Sequence, residues 1–296
     1  MTVAAGRAPG TAHRTDDGVA VITLAHGRYE HLRGQLDGLG RGTTTPGTYV
    51  VAAMADPGIA PLVAANPPAG ARVIVVNVAG SPAALPLAAA RNRAAAAAID
   101  AGAEVLVFLD VDCIPAPDLI AVYAEACRAT ADSTMPELFS GPVHYLPPAA
   151  SSDGYTTAEL MASSPHPARP VVVDTDRAIA DDIRLFWSLS FALTARSWKV
   201  VGGFDQGYSG YGGEDTDYAL SAAAVGGRLW WTRGATAYHQ HHDIDSPPVR
   251  HLEAIVSNSN RFHSRWGVFP MEGWLAAFEA QGLITRAGSP PRWHLR

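Results

Sequence analysis

The segment that most constrains the fold is Val105–Leu109, five apolar residues in a row (VLVFL) that stop abruptly at Asp110. A strand with no polar break has to be covered on both faces, which is the condition of a parallel sheet packed between helices. Shorter runs of the same kind precede it at Val19–Leu24, Tyr49–Ala53 and Val73–Asn77. Between them lie segments with helical spacing, Tyr29–Leu39 and the alanine-rich Leu85–Ala101, which carries Arg91 and Arg93. Strands that alternate with helices predict an α/β fold, a mostly parallel central sheet joined by right-handed crossovers and flanked by helices.

The second half is less regular. Pro147–Pro170 is rich in Pro, Ser and Ala and reads as a mobile loop. A stretch dense in aromatics and glycine follows, Phe186–Trp231, and then two closing helices, Val249–Trp266 and Glu272–Gln281. The expected organisation is a disordered tail over 1–17, one half over 18–133, another over 134–270 that shares its sheet, and a C-terminal helix and tail over 271–296. There is no internal repeat.

Bulk properties exclude several classes. The chain has 296 residues and a net charge of −6, which argues against a nucleic-acid partner. Two cysteines, Cys113 and Cys127, make neither a disulfide framework nor a CxxC site, and fit a reducing, cytoplasmic location. The first residues lack an apolar signal core, and no apolar run reaches the roughly 18 residues that span a bilayer. Contact with the inner membrane face and a homodimer are both left open.

Three motifs carry chemistry. Asp110-Val111-Asp112 follows the buried strand directly, at the end where open α/β sheets bind ligands. Strand alternation would put both carboxylates on one side, suited to a hard divalent cation such as Mg²⁺ or Mn²⁺. The same pair on a solvated turn would be inert. Gly212-Gly213-Glu214-Asp215 is the second motif, inside GGFDQGYSGYGGEDTDY. Its glycines permit close backbone approach, and its acids open a helix, Asp215–Val225, whose dipole favours them. Simple acidic capping would explain that much. The aromatic company of Tyr208, Tyr211 and Tyr218 adds apolar faces beside hydroxyl acceptors, a combination suited to a sugar. The third motif is the cluster His239, His241 and His242 after a β-like segment, Thr236–Tyr238. Imidazoles are common metal ligands, but three so closely spaced cannot all hold one ion, so at least one is a bystander.

Together the strand-borne LDVD, the GGFDQGYSGYGGEDTDY segment and the histidine cluster resemble the GT-A glycosyltransferases. The likeness is strongest to family 2 members with a galactosyltransferase-type C-terminal region. The FD…Y.G.GGED pattern is similar to that of β-1,4-galactosyltransferases and of the catalytic domains of polypeptide N-acetylgalactosaminyltransferases. The resemblance spans about residues 19 to 242 and implies a Rossmann-like GT-A sheet in a single fused domain. By that similarity 18–133 binds the nucleotide sugar, and 134–270 binds the acceptor and catalyses transfer. Thr23, Leu24, Ala25, Asp56 and Arg91 would hold the nucleoside. Asp110, Val111 and Asp112 would meet the donor and its metal, with Asp112 and His239 as ligands and Asp110, His241 or His242 as further candidates. Tyr211, Gly212, Gly213 and Glu214 would bind sugar, and Asp215, beside Glu214, would be the general base. Tyr211 stands where the family often has tryptophan, and Ala25-His26-Gly27-Arg28 follows the first strand in place of a familiar polar signature.

The implied activity is inverting, divalent-metal-dependent transfer of a sugar, galactose or N-acetylgalactosamine, from a UDP-sugar to an acceptor hydroxyl on a glycan, lipid-linked sugar, peptide or small molecule. UDP-glucose and GDP-mannose are alternative donors. A nucleotidylyltransferase would want a GxGxR-type loop after the first strand, where LAHGRYEHL has one glycine. A catalytically dead carbohydrate-binding relative would not need Asp110, Asp112, Asp215 and His239, and a hydrolase built on the histidines would leave GGED unexplained.

Overall fold

The computed structural model describes residues 14–151, 154–170, 172–243 and 245–296. In chain order its first elements are β1 (Arg14–Ala25), α1 (Tyr29–Gly40), β2 (Thr44–Met54), α2 (Ile59–Ala65), β3 (Arg72–Val78), α3 (Leu87–Asp100), β4 (Val105–Leu109), β5 (Cys113–Pro115) and α4 (Leu119–Arg128). There follow β6 (Glu137–Ser140), β7 (Val143–Tyr145), α5 (Thr157–Ala162), β8 (Arg177–Ile179), β9 (Ser190–Thr194), α6 (Ala195–Val201) and α7 (Glu214–Ala224). The chain closes with β10 (Arg228–Thr232), β11 (Ala237–His239), α8 (Leu252–Trp266), α9 (Glu272–Ala280), β12 (Ile284–Ala287) and β13 (Arg292–Leu295).

Eight strands form one sheet in the order β3-β2-β1-β4-β9-β6-β10-β8. β3, β2, β1 and β4 run parallel, as the helix-separated apolar runs require. β9 is antiparallel to both β4 and β6, which inserts a strand of the second half into the middle of the sheet. The two halves therefore share one core. The period of the strands sorts their side chains onto two faces. Val105, Val107 and Leu109 pack on one side with Leu32 and Leu36 of α1 and Leu119 and Tyr123 of α4. Leu106 and Phe108 pack on the other with the alanines of α3, Trp198 of α6 and Tyr218 of α7. Small side chains in α3 let that helix lie close against the sheet, which brings Arg91 within reach of the strand ends.

A second, three-stranded sheet, β5-β11-β7, lies beyond the carboxyl end of β4. Its register places His239 opposite Cys113, and Gln240 N–H donates to the Asp112 carbonyl at 2.8 Å. Residues 112 and 239 are thus fixed as neighbours by backbone pairing. The C-terminal segment builds its own small core from Ile255, Leu275, Phe278, Ile284 and Trp293.

Three expectations are corrected. β1 starts at Arg14, so residues 14–17 of the expected tail are strand, held by pairing to β2 and by Arg128, whose guanidinium donates to both Asp16 oxygens at 2.6 and 2.7 Å. Residues 1–13 of that tail lie outside the described residues. The Pro147–Pro170 stretch contains α5, started by a reciprocal capping box between Thr156 and Glu159. The last residues are a β-hairpin, β12–β13, rather than a tail. Among the described residues no helix is long and apolar enough to cross a membrane.

The turn after β4 is braced from beneath by one buried amide. Gln35 of α1 donates to the carbonyls of Asp110 at 2.7 Å and Cys113 at 3.3 Å, and its oxygen accepts from the Tyr49 hydroxyl at 2.9 Å. Both side chains are fully buried. Replacing Gln35 by Leu strands the Cys113 carbonyl and the Tyr49 hydroxyl, while the Asp110 carbonyl keeps the Cys113 N–H, and a buried polar group left without a partner costs about 1–3 kcal/mol. Chemical denaturation should show Gln35→Leu destabilised by more than that for one group, and Tyr49→Phe by about 1 kcal/mol. The double variant should lose less than the sum, because both substitutions break the same bond; strict additivity would show that the two do not act together.

Candidate active site

Two clusters of polar side chains meet at the carboxyl ends of the central strands, one on each side of the turn that follows β4. The first is Asp112, His239 and His242, whose potential ligand atoms all lie within 4.8 Å of one another. His239 Nε2 is 3.6 Å from Asp112 Oδ1, and His242 Nε2 is 3.6 Å from Asp112 Oδ2. Burial is the largest influence on His239 and pulls its pKa below the usual imidazole value, which keeps the ring neutral as a ligand must be. Tyr145 stacks on that ring at 4.5 Å. Arg28 Nη1 approaches Asp112 Oδ2 at 3.3 Å.

His241 does not join this group. It is exposed, its N–H donates to the Tyr155 hydroxyl and its carbonyl lies 3.2 Å from His31 Nε2. β11 ends at His239, so the chain beyond it no longer follows the strand's alternation. The turn that follows returns His242 to Asp112 and leaves His241 pointing elsewhere.

The second cluster is built around Arg91, which is 4% exposed. Its Nη1 lies 3.3 Å from Glu214 Oε1 and its Nη2 lies 3.6 Å from Asp110 Oδ1. The guanidinium also sits over the Phe204 ring, 5.0 Å from its centroid. Glu214 and Asp215 form the first turn of α7, where the helix dipole favours negative charge. Gly212 and Gly213 precede it with φ of 100° and 89°, and a Cβ on Gly212 would meet the Met271 sulfur at 2.7 Å. Burial raises the Asp215 carboxyl to about 6, helped by the charge of Glu214. Burial likewise raises Asp110 to about 7, opposed by Arg91 and reinforced by Asp112, Glu214 and Asp215.

The expectation that strand alternation holds Asp110 and Asp112 on one side is corrected. β4 stops at Leu109 and the Cys113 N–H donates to the Asp110 carbonyl, closing a turn. Asp110 consequently faces Arg91 and Glu214, while Asp112 faces the histidines and Arg28. Val111 between them is half-buried against the core.

The residues expected to hold the nucleoside are spread out. Thr23, Leu24 and Ala25 are buried within β1, so their side chains belong to the sheet; the accessible surface begins at His26 and Gly27. Asp56 ties two loops together, accepting from Gly27 N–H at 2.7 Å, Tyr29 hydroxyl at 2.9 Å and Gly58 N–H at 2.9 Å. Tyr211 is exposed and stacks on His251 at 4.9 Å, with Trp274 of α9 at 5.9 Å. Sequence reasoning missed Arg28 and Tyr145. Arg28 had one signal available, its place right after the first strand and before a helix at the ligand-binding end of an α/β sheet. Tyr145 had none, because only the pairing of β7 with β11 brings it to His239.

Residues 176–243 match the family described as the N-terminal domain of galactosyltransferase. The segment runs from before β8 to past His242 and includes GGED. None of the curated proteins matches the chain in sequence. Among solved structures, S. aureus TarS 1–349 in complex with UDP-GlcNAc superposes with a TM-score of 0.52 at 12% identity, over 83% of this chain and 63% of that one. A second structure of S. aureus TarS 1–349 gives 0.49 at 13% identity, over 89% and 79%. GalNAc-T7 with UDP, GalNAc and Mn²⁺ gives 0.49 at 14% identity, over 84% and 51%. The fold is thus like that of the TarS structure, and the segment that carries GGED matches a galactosyltransferase domain model.

Arg91 is the cation that holds the acidic cluster together. Breaking a buried ion pair by removing one partner typically costs about 3–5 kcal/mol, and partial exposure of Asp110 puts the expectation at the lower end. Arg91→Met should therefore lose about 3 kcal/mol at pH 8 in chemical denaturation. Asp110 and Asp215 have folded pKa values above the ordinary carboxylate range, so the folded state takes up their protons as pH falls from about 7 towards 4. The variant's deficit should shrink at pH 5, where these groups are neutral; a deficit independent of pH would refute the electrostatic account.

Proposed function

We propose that this chain is an inverting, divalent-metal-dependent glycosyltransferase that moves a sugar from a UDP-sugar to an acceptor hydroxyl. The observation that carries the reading is the pairing, at one strand end, of a carboxylate–imidazole group with an acidic helix start whose aspartate has a raised pKa. The donor sugar is galactose or N-acetylgalactosamine, in keeping with the galactosyltransferase family match. N-acetylglucosamine is the second candidate, since the TarS structure of similar fold holds UDP-GlcNAc.

The residues present fit a divalent cation. Asp112 offers an oxygen and His239 and His242 a nitrogen each, a set better suited to Mn²⁺ than to Mg²⁺, which prefers oxygen alone. Such a cation neutralises the charge that grows on a departing diphosphate. Arg28, exposed beside Asp112, adds a second positive group on the same side. Asp215 is the base. A carboxylate near 6 is mostly ionised at neutral pH, yet basic enough to take the proton of an attacking hydroxyl. Glu214, tethered by Arg91, supplies oxygen acceptors for sugar hydroxyls, and Tyr211 offers an aromatic face for the sugar ring. A single displacement with one base and no covalent carboxylate intermediate inverts the anomeric centre.

Two measurements test this. Asp215→Asn keeps the shape and removes the basicity, so kcat should fall by about 10²–10⁴-fold with UDP binding retained. In the wild type, kcat/KM should fall as pH drops through about 6, because the base is then protonated. An Asp215→Asn variant that turns over normally would rule out the role. Removing the metal with EDTA should abolish transfer and Mn²⁺ should restore it. His239→Ala and His242→Ala should each weaken Mn²⁺ activation by about 10-fold or more, whereas His241→Ala should leave it unchanged. Full activity in EDTA, or equal effects at 241 and 242, would overturn the ligand assignment.

A further inference from the structure

Arg169 is a charge without a partner. Its side chain is 4% exposed, and Nε, Nη1 and Nη2 all lack a hydrogen-bond acceptor among the described residues. It is firmly placed: its N–H donates to the His166 carbonyl at 2.9 Å, and the His166 N–H donates to the Val143 carbonyl of β7 at 2.8 Å. The guanidinium lies over the Trp187 ring at 4.5 Å and over the Trp231 ring at 5.0 Å. The indoles thus stabilise its faces, while the in-plane N–H groups that would form a fork onto an oxyanion stay unused. Burial lowers its pKa to about 10, which still leaves a full cation at neutral pH.

Its surroundings connect it to the active site. Tyr145 stacks on His239 and packs on His166 at 4.9 Å, and His166 meets Trp187 edge-on at 5.2 Å. A continuous aromatic wall therefore runs from the carboxylate–imidazole group to Arg169. The carboxylate whose charge Arg169 feels most is Asp215. Arg28 and Arg91 are both engaged by acids, so among the described residues Arg169 is the buried arginine near the site whose donors have no acceptor.

We propose that Arg169 forms a subsite for a carboxylate on one of the two sugar substrates, so that the enzyme handles an acidic sugar of the uronic-acid class. The inference rests on the glycosyltransferase reading above. A planar monoanion matches the fork and balances one buried positive charge. A phosphate would bring a second negative charge close to Asp215 and Glu214, which are themselves crowded. The aromatic wall supplies the apolar surface that a pyranose ring covers. The carboxylate sits on the acceptor, or on the donor, where a uronic acid would then replace the galactose-type sugar named above, and these sources separate in two arms.

Titration calorimetry at pH 7 with Mn²⁺ compares methyl β-D-glucuronide with methyl β-D-glucoside in the presence of UDP, and UDP-glucuronate with UDP-glucose. The wild type should bind the carboxylate member at least 10-fold more tightly in one arm, and that arm names the substrate. Arg169→Met, which keeps the apolar contacts to the indoles, should bring the ratio to within twofold of unity. If that variant does not fold, Arg169→Lys keeps the charge without the fork and should still cut the ratio severalfold. A wild-type ratio within twofold of unity in both arms overturns the proposal, as does a preference that survives Arg169→Met, or Arg169→Lys if Met does not fold. A 10-fold loss of UDP binding in the substituted protein would assign Arg169 to the diphosphate and overturn it as well. Transfer from neutral UDP-sugars, measured separately, distinguishes the two readings: transfer without a carboxylate preference sinks this inference alone.

Discussion

The site is organised by a buried cation. Arg91 leaves α3 beneath the end of β4 and touches both Asp110, in the turn after that strand, and Glu214, at the start of α7. These two acids come from different halves of the chain, and Asp215 adds a third carboxylate beside them. Without a buried positive charge, three carboxylates in one low-dielectric pocket would repel each other and shed their ionisation. With one guanidinium, the repulsion is reduced and not abolished. Burial first, and this residual repulsion second, keep Asp110 and Asp215 raised above the ordinary carboxylate range. The same burial and incomplete compensation leave α7 with an aspartate more basic than an ordinary carboxylate.

Backbone pairing does for the other cluster what Arg91 does for the acids. Asp112 is placed by the turn after β4, which Gln35 braces through its carbonyls. His239 is placed by β11, paired to β5 in a register that puts it opposite Cys113. Asp112 and His239 owe their proximity to main-chain hydrogen bonds and a buried amide, so their side chains are not what holds the turn together. Arg169 shows the same division in a sharper form, since its backbone is tied through His166 to β7 while its buried donors have no acceptor among the described residues.

Much of this was legible in the chain. The run VLVFL required two covered faces, and the structure gives its alternate residues to the two cores. GGED required a glycine-bearing turn into a helix, and Gly212 and Gly213 do adopt positive φ. The histidine cluster marked a place where polar groups gather at a strand end. Other features were not legible. Alternation was applied to Asp110 and Asp112, yet the strand ended one residue too early for it to apply. Composition suggested a loop at 147–170, where a capping box forms a short helix. The residue pattern could not separate His241 from His242, because both lie past the last residue of β11.

The division between sequence and tertiary structure follows from the range of the forces involved. Burial periodicity, glycine conformation and helix-start chemistry act over a few residues, so the strands, the acidic helix start and the general place of the site can be read along the chain. Which side chains meet depends on contacts between segments more than one hundred residues apart, such as Arg91 with Glu214 and Asp112 with His239. Those contacts are set by strand order and register. Tyr145 and Arg169 carry no local pattern that separates them from ordinary surface or core residues. Only the packing of β7 against β11, and of the indoles of Trp187 and Trp231 around a guanidinium, gives them their surroundings.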